Sequence, residues 1–258
     1  MARTDRFDLT GCVAVVIGGT GVLGGAIAHG LADAGASVAV VGRSKQRGVA
    51  RVKALQKDGA KAISVSADAT DPEALTAAVE DIERRLGAVD ILVNAPGVNS
   101  STPFLEIDLD EWHRLLDANL TSVFVACQVF SRAMIAAARG GSIINISSAS
   151  SGPPLSRVLT YSVAKAGLNN LTQYLAAELA PHQIRVNAVA PGFSPAEQNK
   201  RLLSAERRKA IVGHTPAARL GEPDELIGAI VWLASERASS FVTGAIIRVD
   251  GGFTAKTI

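Results

Sequence analysis

The 258-residue sequence holds only two cysteines, Cys12 and Cys127, each alone in apolar surroundings. That excludes a disulfide framework and a cysteine-ligated metal, and it fits core thiols in a reducing compartment. The four histidines (His29, His113, His182 and His214) form no ligand motif, so no metal is expected. Excess charge is lacking as well. Lysine and arginine number 26 against 24 acids, interspersed along the chain, for a net charge of +2. This excludes the basic footprint of a nucleic-acid binder or of a protein held on an anionic membrane. No apolar run approaches the length of a membrane span. The opening MARTDRFDLT carries charges where a signal peptide needs its apolar segment. Repeats, low-complexity tracts and linkers are missing too. These gaps predict a cytoplasmic, soluble protein.

What the sequence does have is apolar content. At 48% hydrophobic residues it can build one sizeable core, read as a single domain over 1–258. Short apolar runs at 12–17, 37–41, 62–66, 89–93, 143–146, 184–190 and 245–249 read as buried strands. Helical patterns separate them. One covers 26–34 and is closed by Gly35; another starts at Asp71 with Pro72 in its first turn; others cover 120–138, 168–179 and 222–233. Strands alternating with helices build parallel βαβ units, so the predicted fold is α/β, a doubly wound parallel sheet.

The first strand runs into Gly18-Gly19-Thr20-Gly21-Val22-Leu23-Gly24-Gly25 and then a helix. Strand, glycine turn and helix are the context of a dinucleotide site. Glycines let the backbone approach a pyrophosphate, and the helix N-terminus offers oriented N–H groups. A carboxylate for the ribose 2′-hydroxyl would stand about 20 residues further on. There the chain has Gly42, then Arg43, Ser44 and Lys45. Cations in place of an acid favour a 2′-phosphate, hence NADP(H) ahead of NAD(H). The other reading of Arg43 is the start of an exposed helix.

The stretch 141–165, GSIINISSASSGPPLSRVLTYSVAK, passes from a β-branched strand through serines and prolines into a helix. Tyr161 and Lys165 are four residues apart on that helix and share a face. A neighbouring ammonium is expected to lower the phenol pKa toward the working range, and Ser148 can hold a substrate oxygen beside it. With only two tyrosines in the chain, Tyr-x-x-x-Lys arises by chance at roughly 6%. The Ser–Tyr spacing of thirteen behind a buried strand gives it weight.

Ser148, Tyr161 and Lys165 in this arrangement resemble the catalytic set of the short-chain dehydrogenase/reductase family. Essentially the whole chain after Phe7 follows the family's landmarks. The resemblance implies a Rossmann-type sheet of seven strands in the order 3-2-1-4-5-6-7 and a nicotinamide cofactor. Asn119 matches the asparagine that completes the catalytic tetrad by binding a water that links the lysine to solvent. The glycine motif departs from T-G-x-x-x-G-x-G, with Ile17 for threonine and Val22 for the middle glycine, while Gly18 and Gly24 match. Asn94-Ala95-Pro96-Gly97 stands where Asn-Asn-Ala-Gly is usual. Asp68, beside Ala69, matches a family adenine contact, with a turn-forming aspartate the other reading. Pro191 and Gly192 match the landmark near the nicotinamide. Ala196 replaces a threonine there, whose contact falls to Ser194. The implied cofactor set is Gly18, Thr20, Gly21, Val22, Leu23, Gly24, Arg43, Ser44, Asp68, Ala69, Asn94, Ala95, Gly97, Tyr161, Lys165, Pro191, Gly192 and Ser194.

Within the family, GGTGVLGG, NAPGVN, PGFSPAEQNKRLL and HTPAARLGEPDEL are similar to sugar-acid oxidoreductases of the fructuronate reductase (mannonate oxidoreductase) type. A substrate lid is expected over about 193–219, helical across 197–212. From Phe193 to Arg219 six bases (Lys200, Arg201, Arg207, Arg208, Lys209, Arg219) oppose two acids (Glu197, Glu206), a formal +4 from six minus two. That rim suits a small hydroxylated anion. Asn99, Ser148, Arg157, Gln198 and Arg219 are the candidate substrate residues, with Asn199 and His214 adding polarity and Arg157 or Arg219 holding the carboxylate. The expected activity is interconversion of a secondary alcohol and a ketone, acting on a sugar acid. The enzymatic alternative is a 3-oxoacyl-carrier-protein reductase; the non-enzymatic one is a nucleotide-sensing protein on the same fold. Family members usually form homotetramers, and the broad apolar faces of helices 120–138 and 168–179 fit such pairing.

Overall fold

The computed structural model describes residues 6–153, 155–194 and 204–255. Every residue of Val13–Ile17 (β1) is buried, as a parallel strand covered on both faces requires. The other strands are Ser37–Val41 (β2), Ala62–Val65 (β3), Ile91–Asn94 (β4), Gly141–Ile146 (β5), Ile184–Pro191 (β6) and Ile246–Val249 (β7). All pair in parallel, in the order β3-β2-β1-β4-β5-β6-β7. The family resemblance implied this order.

Side chains alternate along each strand and so divide the core into two layers. Val13, Val15 and Ile17 pack beneath Pro72–Leu86 (α3), Ser122–Ala137 (α5) and Leu159–Leu179 (α6). Ala14 and Val16 pack beneath Val22–Asp33 (α1), Lys45–Lys57 (α2) and Ile227–Ala234 (α8). Leu109–Leu116 (α4), Ala205–His214 (α7) and the short Glu236–Ser239 (α9) complete the helices among the described residues.

Local chemistry sets several boundaries. Asp71 caps α3 by accepting from the N–H groups of Glu73 (2.9 Å) and Ala74 (3.1 Å), with Pro72 just inside. Helix α1 starts at Val22, four residues before the periodic pattern, because the glycine turn itself winds into the helix. The expected helix 222–233 begins as a 3₁₀ turn, Pro223–Leu226, locked by a reciprocal capping box between Glu222 and Glu225.

Helix α4 continues through a π-helical turn, Asp117–Thr121, into α5. The result is one helix, Leu109–Ala137, of 29 residues, with mean hydropathy 1.5 in its most apolar window. By length and composition it could cross a membrane, which corrects the sequence-based expectation. An uninterrupted-run criterion misses it because charged and polar residues are scattered among the apolar ones. Half of that window is buried within the fold, the arrangement of a core helix.

The parallel pairing brings the C-terminal ends of β1, β4, β5 and β6 to one edge of the sheet. Beyond them lie Gly18, Ala95, Ser147 and Gly192. Strand order reverses between β1 and β4, and the crevice at such a switch is where open α/β sheets bind ligands.

Candidate functional site

The glycine turn closes tightly over the ends of β1 and β4. Gly18 has φ +76°, and a Cβ there would lie 2.6 Å from Ala95 O. A Cβ on Gly24 would collide with Gly18 O. Only glycine serves at either position. Val22 replaces the family's middle glycine without closing the turn: its side chain is 43% exposed and borders the cavity. The Gly21 N-cap has no side-chain cap and no acid follows in the first turn of α1. The first-turn N–H groups of α1 thus have no side-chain cap, and the residues that carry them, Val22 to Gly24, line the crevice, where an anion can bind. A pyrophosphate fits this cradle.

The crevice is a cavity of about 390 Å³. Thr20 to Gly24 form one wall; Ser147 to Ser150, Tyr161 and Lys165 form another; Ala95 to Gly97, Asn99 and Pro191 to Ser194 complete it. Ser148 reaches it from the turn after β5, while the first two turns of α6 deliver Tyr161 and Lys165. Lys165 is 1% exposed, yet its Nζ donates to Ile146 O at 2.7 Å and Pro96 O at 3.4 Å. The same Nζ stands 5.6 Å from the Tyr161 ring centre.

The electrostatics differ from the expectation. Burial pushes the Tyr161 phenol up, and the hydrogen bond from Ser148 pulls it back only in part. Burial, by penalising the ammonium, also pulls the Lys165 amine down to about 7. Both shifts come from burial, and a phenol raised above its ordinary value stays protonated at neutral pH.

Asn119 sits in the π-helical turn, fully buried. Its Oδ1 accepts from Val98 N–H (3.1 Å), and its Nδ2 donates to Val98 O (2.9 Å) and Leu115 O (2.8 Å). The side chain thus pins the loop after β4.

Several expected residues stand elsewhere. Asn94 points away from the cavity: its buried Nδ2 donates to Asn145 Oδ1 (2.9 Å) and Cys127 Sγ (3.3 Å). Cys127 is therefore a thiol among amides, not in purely apolar surroundings, and burial pushes it up to about 12. Arg43 is exposed beyond β2, outside the cavity wall, and Ser44 is spent capping α2. Asp68, next to Ala69, accepts both the N–H (3.0 Å) and the hydroxyl (2.8 Å) of Thr70, which holds its carboxyl low. That is the turn-forming reading, and neither residue lines the cavity.

Arg157 is exposed at φ +64° and does not line the cavity either. Arg219 forks onto Glu225 at 2.8 and 2.6 Å, which engages its guanidinium and holds the Glu225 carboxyl well below the usual range. His214 packs edge-on against Phe253, ring centres 4.7 Å apart, with its Nε2 3.1 Å from Phe253 O. Of the expected lid, Gln198, Asn199, Ala196, Glu197, Lys200 and Arg201 lie outside the described residues.

Among the described residues, the arginines that line the cavity are instead Arg47, Arg51 and Arg207. Arg51 donates to Gly21 O (3.3 Å), over the glycine turn, and Arg207 to Ser156 O (2.6 Å). Arg47 and Arg51 fall one helical turn apart on α2, a spacing visible in the sequence but not singled out there.

The buried lysine makes stability depend on pH. A base whose folded pKa falls below its unfolded value sheds a proton on folding. Its cost is full below about pH 7 and fades as pH rises toward the ordinary value of 10.5. The change in unfolding temperature on Lys165→Met is therefore expected to be more favourable to the variant at about pH 6 than at about pH 10. Calorimetry at the two values tests this, and equal shifts would refute it.

The chain's similarities agree with the geometry. The family profile described as Enoyl-(Acyl carrier protein) reductase matches residues 20–254. An uncharacterised oxidoreductase, UxuB, of Bacillus subtilis is 39% identical, over 96% of this chain and 96% of that protein. Gluconate 5-dehydrogenase of Gluconobacter oxydans is 36% identical, over 98% and 99%. The crystal structure of a gluconate 5-dehydrogenase from Burkholderia cenocepacia with NADP and tartrate superposes with a TM-score of 0.94. It is 35% identical, covering 98% of this chain and 99% of that one. On this likeness over nearly its whole length, the chain belongs to the short-chain dehydrogenase/reductase family of oxidoreductases.

Proposed function

We propose that the protein interconverts a ketone and a secondary alcohol on a small sugar acid, with NADP(H) as cofactor. One observation carries the reading: Ser148, Tyr161 and Lys165 meet on one wall of a cavity whose opposite wall is an uncapped glycine turn. The glycine turn and the Pro191–Ser194 segment would hold the cofactor, which supplies or accepts the hydride at its nicotinamide. Arg47, Arg51 and Arg43 supply positive charge along the adenosine side.

Each side chain then has a task. Ser148 donates a hydrogen bond to the substrate oxygen. Tyr161, kept protonated by burial, gives its proton to that oxygen in reduction and recovers it in oxidation. Lys165, poised near 7, accepts or passes on the next proton, and Asn119 holds the loop that walls the site. The assay is a panel of sugar acids, polyols and 3-oxoacyl thioesters with each cofactor. Turnover of a sugar acid with NADP(H) is expected, and Tyr161→Phe should lower kcat about a hundredfold or more. Turnover restricted to acyl thioesters would favour the carrier-protein reductase reading. Cofactor binding without turnover of any compound would favour a nucleotide sensor.

The acid preference rests on the cationic rim and on the sugar-acid relatives. Arg207 replaces Arg157 and Arg219 as the proposed carboxylate contact, because it alone of the three lines the main cavity. Arg207→Ala should raise KM for the acid by about tenfold and leave KM for the uncharged alditol unchanged. Equal effects on both would defeat the assignment. The finer placement, with oxidoreductases of fructuronate reductase type and a role in carbohydrate metabolism, rests on the loop segments quoted above. Fructuronate against 5-keto-gluconate in the same panel tests it.

We also propose a single cytoplasmic domain whose helical segment around α7 closes over the substrate, and a homotetramer. Phe124 and Ile135 on α5, and Leu159, Val163 and Tyr174 on α6, expose between 37% and 65% of their surface. These side chains form apolar stripes on adjacent helices and suit pairing with a second copy. A monomer by light scattering at micromolar concentration would refute the assembly.

A further inference from the structure

Four side chains with no role so far surround Ser148. Asn169 stands on α6 one turn beyond Lys165. Its Oδ1 accepts the Ser147 hydroxyl at 2.6 Å, and its Nδ2 donates to Ser151 Oγ at 2.8 Å. Ser151 Oγ in turn donates to the backbone carbonyl of Ser148 at 2.7 Å. One amide thus grips the chain on both sides of Ser148 and ties it to the helix that carries Tyr161 and Lys165. The hydroxyl of Ser148 is constrained as well. Its Oγ accepts from Ser150 N–H (3.2 Å) and from the Ser150 hydroxyl (3.0 Å).

A serine hydroxyl has two acceptor lone pairs and one hydrogen. With both lone pairs occupied by Ser150, only the hydrogen remains for any further partner. Ser147 and Ser150 are 2% and 3% exposed, so water competes little for these bonds. We propose that Asn169, acting through Ser147 and Ser151, is a positioning residue for Ser148, and that Ser150 commits the Ser148 hydroxyl to donating toward Tyr161 and the substrate oxygen. The inference rests on the catalytic reading of Ser148. A donor locked in direction before substrate arrives needs no reorganisation as negative charge grows on the oxygen.

The test uses the full chain, first with Ser148→Ala and then with Ser151→Ala, Ser150→Ala, Asn169→Leu and Ser151→Thr. Ser148→Ala should remove most activity. Near-full activity there would overturn the catalytic reading itself, and this inference with it. Ser151→Ala and Asn169→Leu are expected to lower kcat about tenfold with the KM for cofactor unchanged. Ser151→Thr, which keeps the hydroxyl, should restore most of it. Ser150→Ala weakens the arrangement that aims the Ser148 hydrogen at the phenol. In the oxidation direction, the rise of kcat/KM as Tyr161 deprotonates should then move to higher pH. If Ser148→Ala is inactive but the folded Ser151→Ala and Ser150→Ala proteins keep kcat within twofold and an unchanged pH profile, the positioning role is refuted. Those two variants decide the matter even if Asn169→Leu fails to fold.

Discussion

Burying one lysine at the edge of the sheet is the constraint on which the site depends. Lys165 comes from α6, but its amine finds its partners in the carbonyls of Ile146, at the end of β5, and Pro96, beyond β4. A buried amine without acceptors would be costly, so these carbonyls must stay where they are. The lysine therefore holds the ends of two strands and one helix together. In doing so it sets the place of Tyr161, four residues before it on the same face of α6. The cost shows in the lysine itself, whose burial draws it down to about 7.

The rest of the crevice follows from parallel pairing. Because β1, β4, β5 and β6 all run the same way, each delivers its C-terminal loop to the same edge. Loops far apart in sequence thus share one cavity wall. The glycine turn can crowd Ala95 only because Gly18 and Gly24 lack side chains. Polar side chains fasten these loops from beneath. Asn119 holds Val98, Asn94 reaches Asn145, and Asn169 joins Ser147 to Ser151. These amides tie the edge together where the strands end and regular pairing stops.

The sequence was most readable where chemistry is local. Apolar runs marked all seven strands, and Asp71 with Pro72 marked the start of α3. Periodicity was less exact where one element leads directly into another, so α1 began four residues early and a π-helical turn fused α4 with α5. The charged side chains were least readable. Arg219 had the right charge and position along the chain, but Glu225, six residues on, takes both arms of its guanidinium. Arg47 and Arg51 are an ordinary pair of arginines on an exposed helix until the fold lays that helix beside the glycine turn.

Taken alone, the sequence determined the order of elements, the glycine cradle and the Ser148, Tyr161 and Lys165 set, since each depends on residue types at short spacings. The tertiary structure decided which cations face the cavity, the fate of Asn94 and the direction of the Tyr161 shift. Those depend on burial and on partners dozens of residues away. A neighbouring lysine suggests a lowered phenol pKa only while that lysine is charged; desolvation draws the Lys165 amine down to about 7, and at Tyr161 it outweighs the hydrogen bond from Ser148.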